Sequence, residues 1–291
     1  MVVSRPSRVR VVTDSSADVS AEWAQAHGVI VLPHCVEVAG RVWREGVDLT
    51  QAELAQYAAR SSVPFAVSAP SVEAFAEVYL SLSNQRADVI SIHVSASLSD
   101  AVKNAAAARE SFLGSCAIHV LDSRTASAGL GEIVKAGVTL AERGLDAEAI
   151  VRTLRGLTRC AYGVFLSDEM EYLERSKRLR PAQAILGRML GIIPYLVFEE
   201  GELIAPEKVR TLDRGYEKLA EFVSEFDPAT AHFFVVQLSP QPSPRTRALI
   251  EALHLSMPRL GNVPIRPAGA ALGSVLGPNG LGVIIYDPAT G

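Results

Sequence analysis

The stretch Val89-Ile90-Ser91-Ile92-His93-Val94 is followed by Ser95-Ala96-Ser97-Leu98-Ser99-Asp100 and then by an alanine-rich run that reaches Phe112. The first six residues are mostly β-branched and apolar, which reads as a buried strand. Leu98–Phe112 reads as a helix, because alanine has the highest helix propensity. A strand that enters a helix through a short polar loop is the repeating unit of α/β proteins. The same unit recurs on both sides. Upstream, Val9–Val12 reads as a strand, Ser20–His27 as a short helix closed by Gly28, and Val29–Leu32 as a second strand. Thr50 and Glu53 have the spacing of a capping box that opens a helix ending near Arg60. Downstream, Ile118–Leu121 is a strand and Ser127–Glu142 a helix.

After about Thr158 the pattern changes. Apolar runs at Ala161–Leu166, Ile192–Phe198, Phe233–Leu238 and Val283–Tyr286 are separated by basic and Gly/Pro-rich stretches, and Glu199-Glu200-Gly201-Glu202 reads as a hairpin turn. Leu212–Phe226 and Arg245–His254 read as helices. The expectation is two α/β domains, residues 1–158 with a mostly parallel sheet and residues 159–291 with a mixed sheet, and a ligand between them. A length of 291 residues suits two domains of ordinary size.

Composition narrows the function. Hydrophobic residues make up 48% and charged residues 21%, and the net charge is −4. Such a chain builds real cores and carries no basic footprint for nucleic acid or for an anionic membrane surface. No apolar run has membrane-spanning length, so stable membrane insertion is not expected. The basic residues before Val9 lead into a strand rather than into the apolar region of a signal peptide. Cys35, Cys116 and Cys160 are odd in number and far apart, which argues against a disulfide framework and for a reducing cytoplasm. Cys116 reads as a small buried side chain.

Signatures of catalysis are missing. There is no Walker phosphate loop, no Gly-x-Ser-x-Gly elbow, and no helical pairing among the six histidines. The glycines of 269–282 lack the strand and helix context of dinucleotide binding, so neither cofactor nor metal is expected. What stands out is a set of polar clusters beside the strands: Thr13-Asp14-Ser15-Ser16, Ser68-Ala69-Pro70-Ser71, Ser95 to Asp100, and Asp122-Ser123. In an open α/β sheet the ligand crevice lies outside the carboxyl ends of the strands, where hydroxyls and free helix N–H groups suit a carboxylate or phosphate. Taken singly, each cluster is ordinary helix capping. Asp14 and Asp122 read as loop and cap residues, His93 as a hydrogen-bonded core histidine, and Arg175-Ser176-Lys177-Arg178 as solvated surface.

In order along the chain, these clusters resemble the DegV family of bacterial fatty-acid-binding proteins. Val11 to Asp18 is similar to its V-T-D-S-S-A-D opening, Val67 to Ser71 to its T-S-Q-P-S, and Ser95 to Ala101 to its S-S-x-L-S-G-T. Asp122-Ser123 with Ser127 to Gly131, Tyr172-Leu173 with Arg178-Leu179, Lys208 to Thr211, and Gly277 to Gly282 resemble its later motifs. The resemblance implies two α/β domains enclosing an acyl chain. It places Val67, Ser68, Ser95 and Ala96 at the head group, and Arg178 and Arg210 as a docking or phosphate-contact pair. It further implies a carrier that does no chemistry itself and presents a long-chain fatty acid, or a related acyl lipid, to a separate fatty-acid kinase.

The chain departs from the family pattern at its polar positions. Val67 stands in place of Thr, Ala96 in place of Ser, Asp100-Ala101 in place of Gly-Thr, and Val275 where many kinase-coupled members have His. These changes leave room for a divergent paralogue with another lipid. An enzymatic reading also stays open: a serine hydrolase or acyl-transfer enzyme with Ser95 or Ser68 as nucleophile. It needs a base within hydrogen-bond reach, and His93 is the nearest histidine in sequence to Ser95.

Overall fold

The computed structural model describes residues 8–61, 63–178 and 191–290. The chain opens with β1 (Arg8–Asp14), α1 (Ala21–Ala26), β2 (Ile30–Leu32), β3 (Cys35–Val38), β4 (Arg41–Arg44), α2 (Gln51–Arg60), β5 (Ala66–Ser68) and α3 (Val72–Asn84). It continues with β6 (Ala87–His93), α4 (Ala101–Arg109), β7 (Ile118–Asp122), α5 (Ser127–Glu142) and α6 (Ala147–Leu157). Then come β8 (Ala161–Leu166), α7 (Met170–Ser176), β9 (Ile193–Glu199), β10 (Glu202–Val209), α8 (Leu212–Val223), β11 (His232–Gln237), α9 (Pro244–Ser256), β12 (Ile265–Pro267), α10 (Gly269–Leu276) and β13 (Leu281–Tyr286).

The α/β reading holds. β2-β1-β6-β7 form a four-stranded sheet in which every pair is parallel. Helices cover both faces of such a sheet, which is why β6 is buried almost throughout, its Ser91 and His93 included. The second sheet, β10-β9-β8-β13-β11-β12, is mixed: its pairs are antiparallel except β11 with β12. Glu200 and Gly201, both at positive φ, form the two-residue turn between β9 and β10. The capping box of α2 is present, with the Glu53 carboxylate on the Thr50 N–H at 2.8 Å.

Two features differ from expectation. A third sheet, β4-β3-β5, is antiparallel and three-stranded. Its strands have four residues or fewer, too short for alternation to rise above chance. The helix expected from Leu98 starts at Ala101. The Ser95 carbonyl accepts from the Leu98 and Ser99 N–H groups and the Ser99 hydroxyl accepts from the Ala101 N–H, so the serines hold a turn where alanine would have continued the helix. Cys116 is half-buried rather than buried.

The largest apolar cluster joins both major sheets. Val11, Ile90 and Ile92 of the first sheet share it with Leu130 and Ile133 of α5 and with Phe165 and Ile284 of the second. Period-two alternation sends the next residues the other way: Val164, Val235 and Val283 pack under α8 and α9 in a separate cluster with Leu219 and Leu249. A third cluster lies where β3, α2 and Phe65 meet Tyr172, Leu238 and Ala270.

β13 runs between β8 and β11, and Gly282 is its tightest point. A Cβ there would lie 2.2 Å from the Val164 carbonyl oxygen and 2.3 Å from the Phe165 ring. Neither neighbour has room to retreat, since both belong to a buried strand. Gly282→Ala is therefore expected to destabilise the fold by about 2–3 kcal/mol, the scale of overpacking in a closed core. Urea unfolding checks this; an unchanged midpoint would show that β8 and β13 can move apart at Gly282 without cost.

Candidate functional site

Because β1, β6 and β7 are parallel neighbours, their carboxyl ends bring Asp14, His93 and Asp122 to one edge of the sheet. Asp14 is fully buried. Its Oδ1 accepts from the Ser16 N–H at 3.0 Å, and its Oδ2 from the Val94 N–H and from His93 Nδ1, each at 3.0 Å. The Tyr79 hydroxyl donates to Ser91 Oγ at 2.7 Å, and Ser91 Oγ shares a hydrogen bond of 2.7 Å with His93 Nε2, so Tyr79, Ser91, His93 and Asp14 form one continuous chain. Burial pushes the Asp14 carboxyl up, but the His93 hydrogen bond, the nearby His34 and His93 rings and the Val94 N–H outweigh it and hold its pKa below the usual value. Asp14 is thus the anchor of a buried network, more than a loop residue, and His93 is the hydrogen-bonded core histidine expected.

A second chain starts at the neighbouring residue. Ser15 Oγ donates to Glu45 Oε2 at 2.6 Å and accepts from the His34 backbone N–H at 2.9 Å. With its proton spent on Glu45, it also accepts from His34 Nδ1 at 3.2 Å, and His34 Nε2 meets the Ser99 hydroxyl at 2.8 Å. Glu45 Oε1 takes the Gln51 amide and the Ala270 N–H at the start of α10, each at 2.6 Å. Burial raises the Glu45 pKa against the pull of His34 and these donors. The sequence reading missed both Glu45 and His34. Neither sits in a local motif, and the only nearby signal is the turn Glu45-Gly46, whose glycine has φ +74°.

Of the four residues placed at the head group, Ser95 and Ala96 lie together at the end of β6. Ser95 is buried and Ala96 exposed. The Ser95 hydroxyl donates to the Gly201 carbonyl at the tip of the β9–β10 turn, and the Ser97 hydroxyl donates to the same oxygen at 2.8 Å. The Ala96 N–H meets Asp122 Oδ2 at 3.3 Å, and Asp122 Oδ1 takes the Arg124 N–H at 2.8 Å. Burial raises the Asp122 pKa against these two N–H groups. His93 does not serve Ser95, because Asp14 and Ser91 engage both of its ring nitrogens.

Val67 and Ser68 sit apart, on β5. Val67 is half-buried against the third apolar cluster and Ser68 is exposed. β5 packs on α10. The Pro70 carbonyl just beyond β5 accepts from Asn104 of α4 at 2.9 Å, so this segment borders the helix that follows Ser95. Val275 is fully buried in α10 within the main apolar cluster. Asp100 is the N-cap of α4 without a side-chain capping bond. Arg178 is half-buried just after α7, and Arg210 is exposed between β10 and α8. Leu179, part of the same motif as Arg178, lies outside the described residues. Among the described residues no cluster of His, Cys, Asp or Glu is arranged to hold a metal ion, and no helix is long and apolar enough to cross a membrane.

Residues 8–287 match the model of the family described as uncharacterised protein, DegV family. This chain belongs to the DegV family. A DegV domain-containing protein of Streptomyces coelicolor is 31% identical over 279 residues, which is 95% of this chain and 98% of that one. The DegV fold superposes on a solved structure described as fatty acid binding of a DegV family protein from Thermus thermophilus, with TM-score 0.82 and 28% identity over 96% of this chain and 99% of that one. DegV of Bacillus subtilis, described as a fatty acid binding protein, aligns with TM-score 0.83 and 25% identity over 97% of this chain and 99% of that one.

The Asp14 network generates a pH prediction. Asp14→Asn places an amide N–H₂ against groups that already donate, and is expected to cost about 2–4 kcal/mol at neutral pH. The folded pKa of Asp14 lies below its unfolded value of 3.8, so its contribution is present above that value and is lost as pH falls through the folded one. The gap between parent and variant should be constant near neutrality and should close below about pH 4. Chemical denaturation across pH measures it; a gap that widens on acidification would reverse the assignment.

Proposed function

We propose that this chain binds a long-chain fatty acid, or a related acyl lipid, and presents it to a separate fatty-acid kinase. The observation that carries this reading is the near-complete match in sequence and fold to the DegV proteins described as fatty acid binding. In this reading the chain divides into residues 1–158 and 159–291, a split supported by the change of sheet between α6 and β8. The acyl chain lies between the two parts, with Val67, Ser68, Ser95 and Ala96 at its head. Three free cysteines fit a reducing cytoplasm.

The energetics favour a carrier. Each buried methylene is worth ~0.8 kcal/mol, so a long tail supplies on the order of 10 kcal/mol before the costs of association. A charge-assisted hydrogen bond at the head adds ~1.5–3 kcal/mol. The tail sets affinity and the head sets orientation, and neither task needs a cofactor. Denaturing extraction and lipid mass spectrometry of the purified chain should find a long-chain acyl species, or the emptied chain should take up palmitate or oleate. Absence of both would end this reading.

Val67 favours a less charged head than the carboxylate, because valine has no hydrogen to donate. If the head is less charged, hexadecanol should bind at least as tightly as palmitate.

Arg178 and Arg210 are the proposed contact with the kinase, since the planar guanidinium fork pairs bidentately with phosphate or carboxylate. With a cognate kinase in hand, Arg178→Ala or Arg210→Ala should lower acyl-phosphate formation roughly tenfold, the effect of losing one charge-assisted contact, while palmitate binding stays as in the parent. Equal turnover in both variants would leave the two arginines as solvated surface.

A further inference from the structure

The turn that receives Ser95 and Ser97 has another side. Glu200 and Gly201 help to wall a cavity of about 430 Å³, together with Arg124 from the loop after β7, Arg159 from the end of α6, Tyr162 of β8 and Phe198 of β9. This volume lies within the range of small-molecule sites, and its place beside the carboxyl end of β7 is where α/β folds collect ligands.

Charge points to an anion. Neither Arg124 nor Arg159 has a side-chain hydrogen bond or ion pair among the described residues. Asp122 lies close enough to feel Arg124, but its two carboxylate oxygens are turned onto the backbone N–H groups of Ala96 and Arg124. The one carboxylate in the wall belongs to Glu200, exposed at the turn. Two arginines lining one space suit the oxygens of a phosphate, which a guanidinium can grip with two N–H groups.

The walls are already in position. Gly201 has φ +87°, and a Cβ there would come within 3.1 Å of Arg124 Cβ and Cγ, so the stem of Arg124 lies flat against the turn. Phe198 stands edge-on to Phe165 with ring centres 5.6 Å apart, and Tyr162 is held by Phe226 at 4.9 Å and by a hydrogen bond to Thr290. Fixed rings, and an Arg124 stem held against the turn, reduce the ordering cost of binding. They also offer a flat apolar surface beside the charge.

We propose that this cavity is a second binding site, on the far side of the β9–β10 turn from the serine loop, for a small organic phosphate that carries a flat aromatic group. Calorimetry on the full chain with phenyl phosphate, inorganic phosphate and phenol tests it. Phenyl phosphate should saturate one site per chain and bind more tightly than either fragment. Arg159→Ala, at an exposed position with no described partner, should keep the parent's melting temperature and weaken phenyl phosphate roughly tenfold or more, the effect of losing one charged contact. Arg124→Gln should weaken it likewise, and Phe198→Leu should bring phenyl phosphate toward inorganic phosphate without changing the latter. No saturation at millimolar phenyl phosphate, equal binding of phenol, or parental affinity in both arginine variants would each overturn the proposal.

Discussion

A carboxylate taken wholly out of water survives only if donors surround it, and Asp14 meets that condition at the end of the second strand in the sheet order. Its partners come from two strand ends at once. The Ser16 N–H shapes the loop leaving β1, and the Val94 N–H and His93 ring fix the loop leaving β6. The serine loop from Ser95 onward is therefore positioned by a charge sealed from solvent. Removing either partner alone leaves the other uncompensated, which makes this network a constraint on the sequence rather than a source of surplus stability.

From the same edge the structure ties its two halves together by polar contacts that each cross a long span of chain. The Ser15 hydroxyl donates a hydrogen bond to Glu45, and Glu45 accepts from the Ala270 N–H in the first turn of α10. Ser95 and Ser97 hold the Gly201 carbonyl of the second sheet, and the Ser127 hydroxyl holds the Pro267 carbonyl. Behind these contacts α5 is packed against β1 and β6 on one side and β13 on the other. Hydrocarbon provides the bulk of the cohesion, and the serines set which parts of the two sheets face each other.

The broad fold was legible because long signals carry it. β6, β8, β11 and β13 are strands of six or seven residues rich in β-branched and aromatic side chains, and the Thr50–Glu53 pair and the Glu200-Gly201 turn are local chemistry with one reading each. The small β4-β3-β5 sheet was not legible, because strands this short are made by pairing and not by propensity. The candidate site was legible in its place along the strands but not in its arrangement. Serine clusters marked the carboxyl ends of β1 and β6, yet nothing local in the sequence links Ser15 to Glu45, 30 residues away, or Ser95 to Gly201, 106 residues away. The first of those links also needs His34 to accept its place in a buried polar group, a requirement that only the assembled fold imposes.

These contacts bear on whether the serines are built to react or to hold. A nucleophilic serine needs a base that can take its proton and a third group that orients the base. Ser91, His93 and Asp14 have that order and those distances, 2.7 and 3.0 Å, but all three are sealed from solvent and the Tyr79 hydroxyl sits on the serine oxygen. The triad-like geometry is thus spent on stability. Ser95, at the edge where a ligand head is proposed to lie, instead gives its proton to a peptide carbonyl, which is too weak a base to activate it. A hydroxyl in that state is a hydrogen-bond donor. It can exchange the Gly201 oxygen for an oxygen of a ligand at little net cost, since one acceptor replaces another. That exchange suits the proposed carrier role, in which head-group contacts orient the lipid while most of the affinity comes from the buried tail.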